Sequence, residues 1–253
     1  MASEKPPWET ADATKSEDVE KVEKESPPDW MLGAGLDTDM SSEGGKSGAG
    51  SSIRFWMPKG AEKNVVWLTD GDKSPVLFEH QFQMGGRWTN WVTCLEPLGV
   101  PCPFCKWALA NDGQFRRYKG VFFTIIDTSE FTDKSGKLRK NERRLLVAKK
   151  DTAEIIKRRY LSRLEAGEKL RGAKFRIFRA NSDKSASVGT DFEFTNMVDL
   201  AGYLETAEFD YADLLKPDPE KADALMSRLK SERLAISSSP SDGPEGTGTT
   251  VSY

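Results

Sequence analysis

The sequence predicts a mainly-β fold with minor α content, a small Greek-key barrel flanked by acidic segments. Three observations carry that expectation. Between Ile53 and about Leu204, short runs rich in β-branched and aromatic residues follow one another, Gly, Asp and Pro turn signals separate them, and one long stretch alone repeats at helical spacing. Residues 1–52 and 205–253 lack that pattern and read as arms rather than core.

The arm comes first. It has few aliphatic residues, many Glu, Lys, Ser and Asp, and ends in SSEGGKSGAGSS, which cannot bury enough surface to offset the entropy of ordering. Trp8 and Trp30 stand in it beside prolines, as docking anchors or as stray exposed aromatics. IRFWMP, KNVVWLTD and SPVLFEHQFQM then read as strands, with hairpin turns at Asp70-Gly71 and Gly85-Gly86. GVFFTIIDTSEFT and KLRKNERRLLVAKK flank the turn-forming DKSG as a further long hairpin. In DTAEIIKRRYLSRLEAG, Asp151 with Glu154 makes a capping box, Ile156, Tyr160 and Leu164 share a face, and Gly167 can end the helix. KFRIFRA and DFEFTN close the domain as strands. The tail is acidic and loop-like at its end, an expected partly disordered region for binding partners.

Charge is strongly segregated within a net of -3. Residues 1–50 carry 5 Lys+Arg against 12 Asp+Glu, residues 51–180 carry 26 against 14, and residues 181–253 carry 6 against 14. A basic block inside an acidic chain is the footprint of a polyanion-binding domain, and the oligonucleotide-binding (OB) barrel is the commonest nucleic-acid example of the predicted architecture. No apolar run approaches the ~18 residues that cross a bilayer, and the N-terminus has no basic start followed by an apolar block. A cytoplasmic protein with no membrane partner is expected. In a reducing compartment, an odd count of three cysteines argues for metal binding, catalysis or burial rather than a disulfide framework.

The cysteines narrow the choice. Cys102-Pro-Phe-Cys105 is close to a redox box, but no proline lies between Pro103 and Pro217 to supply a facing loop, and LEPLGVP is a poor buried strand. As a metal knuckle the box needs two more soft ligands, and the chain's whole remaining His and Cys inventory is His80 and Cys94, in an H-x13-C-x7-C-x2-C pattern. His80 and Cys94 fall on opposite arms of the hairpin turning at Gly85-Gly86, which brings them together. Four ligands with no open position make a structural Zn2+ site inside an inserted subdomain at about residues 80–106. Plain burial of three cysteines and a histidine is the alternative.

That pattern, inside a basic and aromatic β-domain, resembles the helix-destabilising, zinc-containing single-stranded DNA-binding proteins of T-even-type bacteriophages. The resemblance implies an OB barrel with a zinc subdomain liganded by His80, Cys94, Cys102 and Cys105. It also implies one structural zinc and sequence-independent binding of single-stranded DNA in phage replication, recombination and repair, in the cytoplasm of an infected bacterium. An acidic C-terminal region would recruit replication or recombination proteins. Two features depart from the family: the N-terminal arm is net acidic where a basic motif for cooperative binding is expected, and the chain ends in GTGTTVSY rather than in an acidic tip.

Single-strand binding needs cations for phosphates and flat rings for bases. The candidates are Arg54 and Trp56, Arg87, Trp88 and Trp91, then Phe115, Arg116, Arg117, Tyr118 and Lys119. Trp88, Phe115 and Tyr118 are the expected stacking platforms, while Trp67 and Trp107 are expected in the core or against the knuckle. Lys137, Arg139, Lys140, Arg143 and Arg144 supply a basic hairpin arm, and Arg158, Arg159 and Arg163 extend the positive face onto the helix. No clustered Asp/Glu/His set for catalytic metals is apparent, so an enzyme is not expected. The rival from another class is a zinc-stabilised interaction or regulatory adaptor of the replication or transcription machinery.

Overall fold

The computed structural model describes Met31, Gly33, Ala34 and residues 53–84, 87–132 and 138–238. The strands are β1 (Gly33–Ala34), β2 (Glu62–Trp67), β3 (Pro75–Met84), β4 (Arg87–Thr93), β5 (Tyr118–Asp127), β6 (Phe131–Thr132), β7 (Leu138–Arg139), β8 (Glu142–Ala148), β9 (Ala173–Phe178) and β10 (Asp191–Met197). Helices are α1 (Pro103–Ala110), α2 (Lys150–Glu165), α3 (Tyr211–Leu214) and α4 (Pro219–Ser238). Among the described residues the protein is thus a mainly antiparallel open β-sheet with minor helices. Of the expected disordered arm, only Met31, Gly33 and Ala34 lie within the described residues.

The sheet is organised around β5. On one side β8 runs the length of Val121–Asp127, and on the other β3 and β2 follow one another, pairing at Tyr118–Val121 and Ile125–Asp127. From β2 the order continues through β9 to β10, while β4 and β1 pair with the outer side of β3. Segment 53–60 is not a regular strand; its amides bond Leu145 at one end, and Ser187 and Arg179 at the other.

Alternation along β5 explains its long apolar run. Val121, Phe123 and Ile125 enter the main core with Trp67, Phe175 and Ile177, while Phe122 and Ile126 point to the opposite face and are buried there by residues 198–215. A strand covered on both sides needs little polar alternation. Trp67 anchors the core as expected, at 1% exposure, with edge-on contacts to Phe123, Phe175 and Phe192 at 5.9, 5.1 and 6.2 Å. α2 closes this core through Ala153 and Ile156.

Two expectations are corrected here. Asp70-Gly71 does not turn a hairpin: β2 and β3 are not neighbours, and the link is a 3-10 turn at Gly71–Lys73 held by the Asp70 carboxylate, which accepts from the Arg171 amide at 2.9 Å. Folded structure also continues beyond residue 204. Asp218 caps α4 by accepting from the Lys221 amide at 2.9 Å, and Ala222, Met226 and Leu229, at helical spacing, are buried beneath it.

Candidate metal centre and the basic face around it

β3, the end of β4 and the start of α1 deliver four ligands to one point. β3 and β4 pair with His80 opposite Val92, and the Cys94 amide donates to the Phe78 carbonyl at 2.9 Å just beyond β4. Pro103 then starts α1 at the position where its missing N–H costs nothing, so Cys102 precedes the first helical residue and Cys105 completes the first turn. The knuckle is therefore half loop and half helix, and the positive helix end favours thiolates there.

The four donor atoms lie within 4.8 Å of one another. Cys94 Sγ and Cys105 Sγ are 3.6 Å apart, and His80 Nε2 is 3.4 Å from both Cys102 Sγ and Cys105 Sγ. Tetrahedral metal–sulfur bonds of ~2.3 Å and metal–nitrogen bonds of ~2.0 Å require edges of roughly 3.5–3.8 Å, so the set fits one ion. On the far side of the ring, His80 Nδ1 lies 2.8 Å from the Phe115 carbonyl. Donation there leaves the Nε2 lone pair aimed at the sulfurs, the tautomer a ligand needs. Phe115 has φ 60, a strained conformation for a non-glycine residue, held where its carbonyl serves the histidine.

The electrostatics ask for a cation. Hydrogen bonds from Cys105 and Cys94 hold the Cys102 thiol far below its ordinary range, while the same contact with Cys102 pushes Cys105 up. Burial disfavours charge on His80, yet hydrogen bonds to Cys102 and Cys94 raise it to about 9. Three sulfurs this close cannot all be anions without a positive centre among them. Cys94, Cys102 and His80 are buried and Cys105 is half-buried.

Around the cluster, Phe82, Phe104, Phe115 and the α4 residues Ala222, Met226 and Leu229 form one apolar shell. Phe104 packs on Phe82 at 4.7 Å and on His80 at 5.5 Å. Trp107 rests against this shell, as expected, and donates to Gln114 at 3.3 Å. Sequence reasoning missed the contribution of α4, although the Asp218-Pro219 start and the Ala222/Met226/Leu229 spacing announce it.

The polyanion candidates divide into several groups. Phe115 and Tyr118 are corrected: at 6% and 2% exposure neither offers a ring face. Phe115 is drawn into the metal-side shell, and Tyr118 donates its hydroxyl to the buried Glu79. Trp56 is 40% exposed and Trp91 half-buried. Arg87 and Trp88 belong to β4, but their side chains, and all of Lys137, lie outside the described residues.

Most of the cations are already paired. Arg54 forms a two-pronged ion pair with Glu79, Arg117 pairs with Glu96, Arg139 with Glu142, Lys140 with Glu130, Arg143 with Glu205 and Arg159 with Asp191. Arg163 is buried over the Phe194 ring rather than extending the exposed face. Arg116 and Arg158 are exposed, and Arg144 is half-buried. Arg117 and Lys119 flank the half-buried Phe78 ring at 4.3 and 5.6 Å, and Arg117 lies 3.8 Å from Cys94 Sγ, joining the cationic face to the metal cluster.

Fold and site together define a β-sheet protein with a buried His/Cys3 cluster able to hold one metal ion. No family model matches the chain, and no curated protein matches it. Among the described residues no helix is long and apolar enough to cross a membrane.

Proposed function

We propose that this protein binds single-stranded DNA without sequence preference and protects and organises it in phage-type replication, recombination and repair, with one structural Zn2+ on His80, Cys94, Cys102 and Cys105. The observation that carries the reading is the junction at Arg117. One side chain touches the Cys94 ligand and also lies over Phe78 beside Lys119, so the metal would fix cations and rings in one surface. Three thiolates and an imidazole favour zinc, and a filled tetrahedral set serves structure, not catalysis; an enzymatic role is not proposed.

An OB-type barrel is the architecture this reading takes. It is supported by the strap at 53–60, bonded to β8 at one end and to the β9–β10 side at the other. Acidic residues of the C-terminal region, including Asp213, Glu220 and Asp223, are exposed and are the proposed contacts for replication or recombination proteins. The pairing of six candidate cations with carboxylates favours a second reading, a zinc-stabilised interaction adaptor.

Fluorescence anisotropy of labelled oligonucleotides decides between them. The DNA-binding reading expects tight binding of single strands, weak binding of duplex, and a log–log salt slope near -0.7 per contacted phosphate. Equal and weak binding of both strands would leave the adaptor.

A further inference from the structure

Resting on the single-strand reading, we propose that the cavity between β4 and the α3–α4 junction receives one base of the bound strand, with Trp91 as the platform and Lys216 and Lys221 on the flanking phosphates. The cavity has a volume of about 180 Å3 and is lined by Trp91, Arg54, Ile53, Leu215, Lys216 and Lys221. That is below the roughly 300–1,000 Å3 of sites that take whole small molecules, a size for a single ring system with its sugar and phosphate outside.

The wall is built rather than incidental. Trp91 stands on β4 opposite Gln81, and the Arg54 guanidinium lies 4.3 Å over its ring. Because that guanidinium is held by Glu79, Arg54 acts on the indole and not on a phosphate. Across the cavity, Thr93 Oγ1 donates to the Leu215 carbonyl at 2.8 Å and pins the end of α3 to β4. Asp218, also in the wall, is engaged by the first turn of α4.

Charge sets this place apart from the ion-paired part of the basic face. Lys216 and Lys221 are exposed, and among the described residues neither ammonium has a carboxylate partner, whereas Arg54, Arg117, Arg139, Lys140, Arg143 and Arg159 all do. Two ammonium groups without carboxylate partners, lining a ring-sized cavity together with a tryptophan, match a base and its neighbouring phosphates. The C-terminal segment would then be part of the DNA site and not only an appendage for partners.

Photocrosslinking of the intact protein to 5-iodouracil-substituted single strands, mapped by mass spectrometry, is the direct test, with two variants beside it. We expect a crosslink at Trp91. Trp91→Leu should bind single strands roughly 5- to 150-fold more weakly, the span of one lost stacked base. Lys216→Ala with Lys221→Ala, both on the exposed surface and outside the core, should flatten the salt slope by about 1.4. Tight single-strand binding with crosslinks only elsewhere and an unchanged slope in the lysine variant overturns the pocket and leaves the single-strand reading standing. Failure of the unmodified protein to bind single strands overturns both.

Discussion

Replacing Glu79 with Leu should cost the sheet a large share of its stability. Glu79 is 2% exposed, holds the Arg54 guanidinium through both carboxylate oxygens, and accepts the Tyr118 hydroxyl. Arg54 is itself 11% exposed, beneath Trp91 and 6.0 Å from the Phe122 ring, so its charge stays largely desolvated. Removing one partner of a buried pair leaves an uncompensated charge worth about 3–5 kcal/mol, and the orphaned Tyr118 hydroxyl adds about 1–3 kcal/mol. The two losses share one site and do not sum, so about 4 kcal/mol is expected. For a folded region of this size that lowers Tm by roughly 8–16 °C. Removing both charges, in Arg54→Met with Glu79→Leu, should recover most of the loss. The assay is thermal unfolding followed by circular dichroism across the double-mutant cycle. A single variant within about 1 kcal/mol of the parent, or a double variant no better than the single, refutes the reasoning.

Three further outcomes follow from the same structure. Lys149, half-buried against the Tyr118 ring at 3.7 Å, is lowered to about 7 by desolvation, with Glu79 favouring and Arg54 opposing its charge. The unfolded chain, at the ordinary 10.5, therefore binds more protons between about pH 7 and 10.5, so Lys149 makes stability rise with pH across that window. Lys149→Met should flatten the rise in Tm between pH 7 and 10, and an identical profile in the variant would count against the desolvated amine. Leu229→Ala, which empties part of the shell between α4 and the metal cluster, should cost about 2–5 kcal/mol in chemical denaturation; a loss under 1 kcal/mol would mean that α4 is not docked. Arg116→Ala removes an exposed cation and should reduce the single-strand salt slope by about 0.7; an unaltered slope removes this residue from the DNA surface.

How far the sequence announces these features depends on whether a signal is local. The His80/Cys94/Cys102/Cys105 spacing is local chemistry on one hairpin and one knuckle, and the structure gathers the four groups as that spacing predicts. α2 is likewise legible, because its periodicity lies within one stretch; it runs from Lys150 to Glu165, which puts Asp151 inside the first turn rather than at the cap the sequence suggested. Long-range pairing is not legible in that way. Asp70-Gly71 has hairpin chemistry, but β2 pairs with β5 and β9, and Arg171 takes up the turn from a hundred residues away. Aromatic fate is also decided by the third dimension. Phe115 and Tyr118 sit beside arginines in sequence as a stacking platform would, but the metal-side shell and the buried Glu79 claim them. α4 was readable from Asp218, Pro219 and the Ala222/Met226/Leu229 spacing, yet the acidic composition of residues 181–253 points to a solvated tail and hides it.

The central claim is that one zinc ion organises a single-strand-binding surface, and comparing strand affinity before and after metal removal on one preparation tests it most directly. Native mass spectrometry should find one zinc per chain, and chelation should weaken single-strand binding at least about tenfold as the ligand hairpin, α1 and α4 loosen, with affinity restored by adding zinc back. A chain that carries no zinc, or one whose affinity and melting temperature are the same with and without it, contradicts the account.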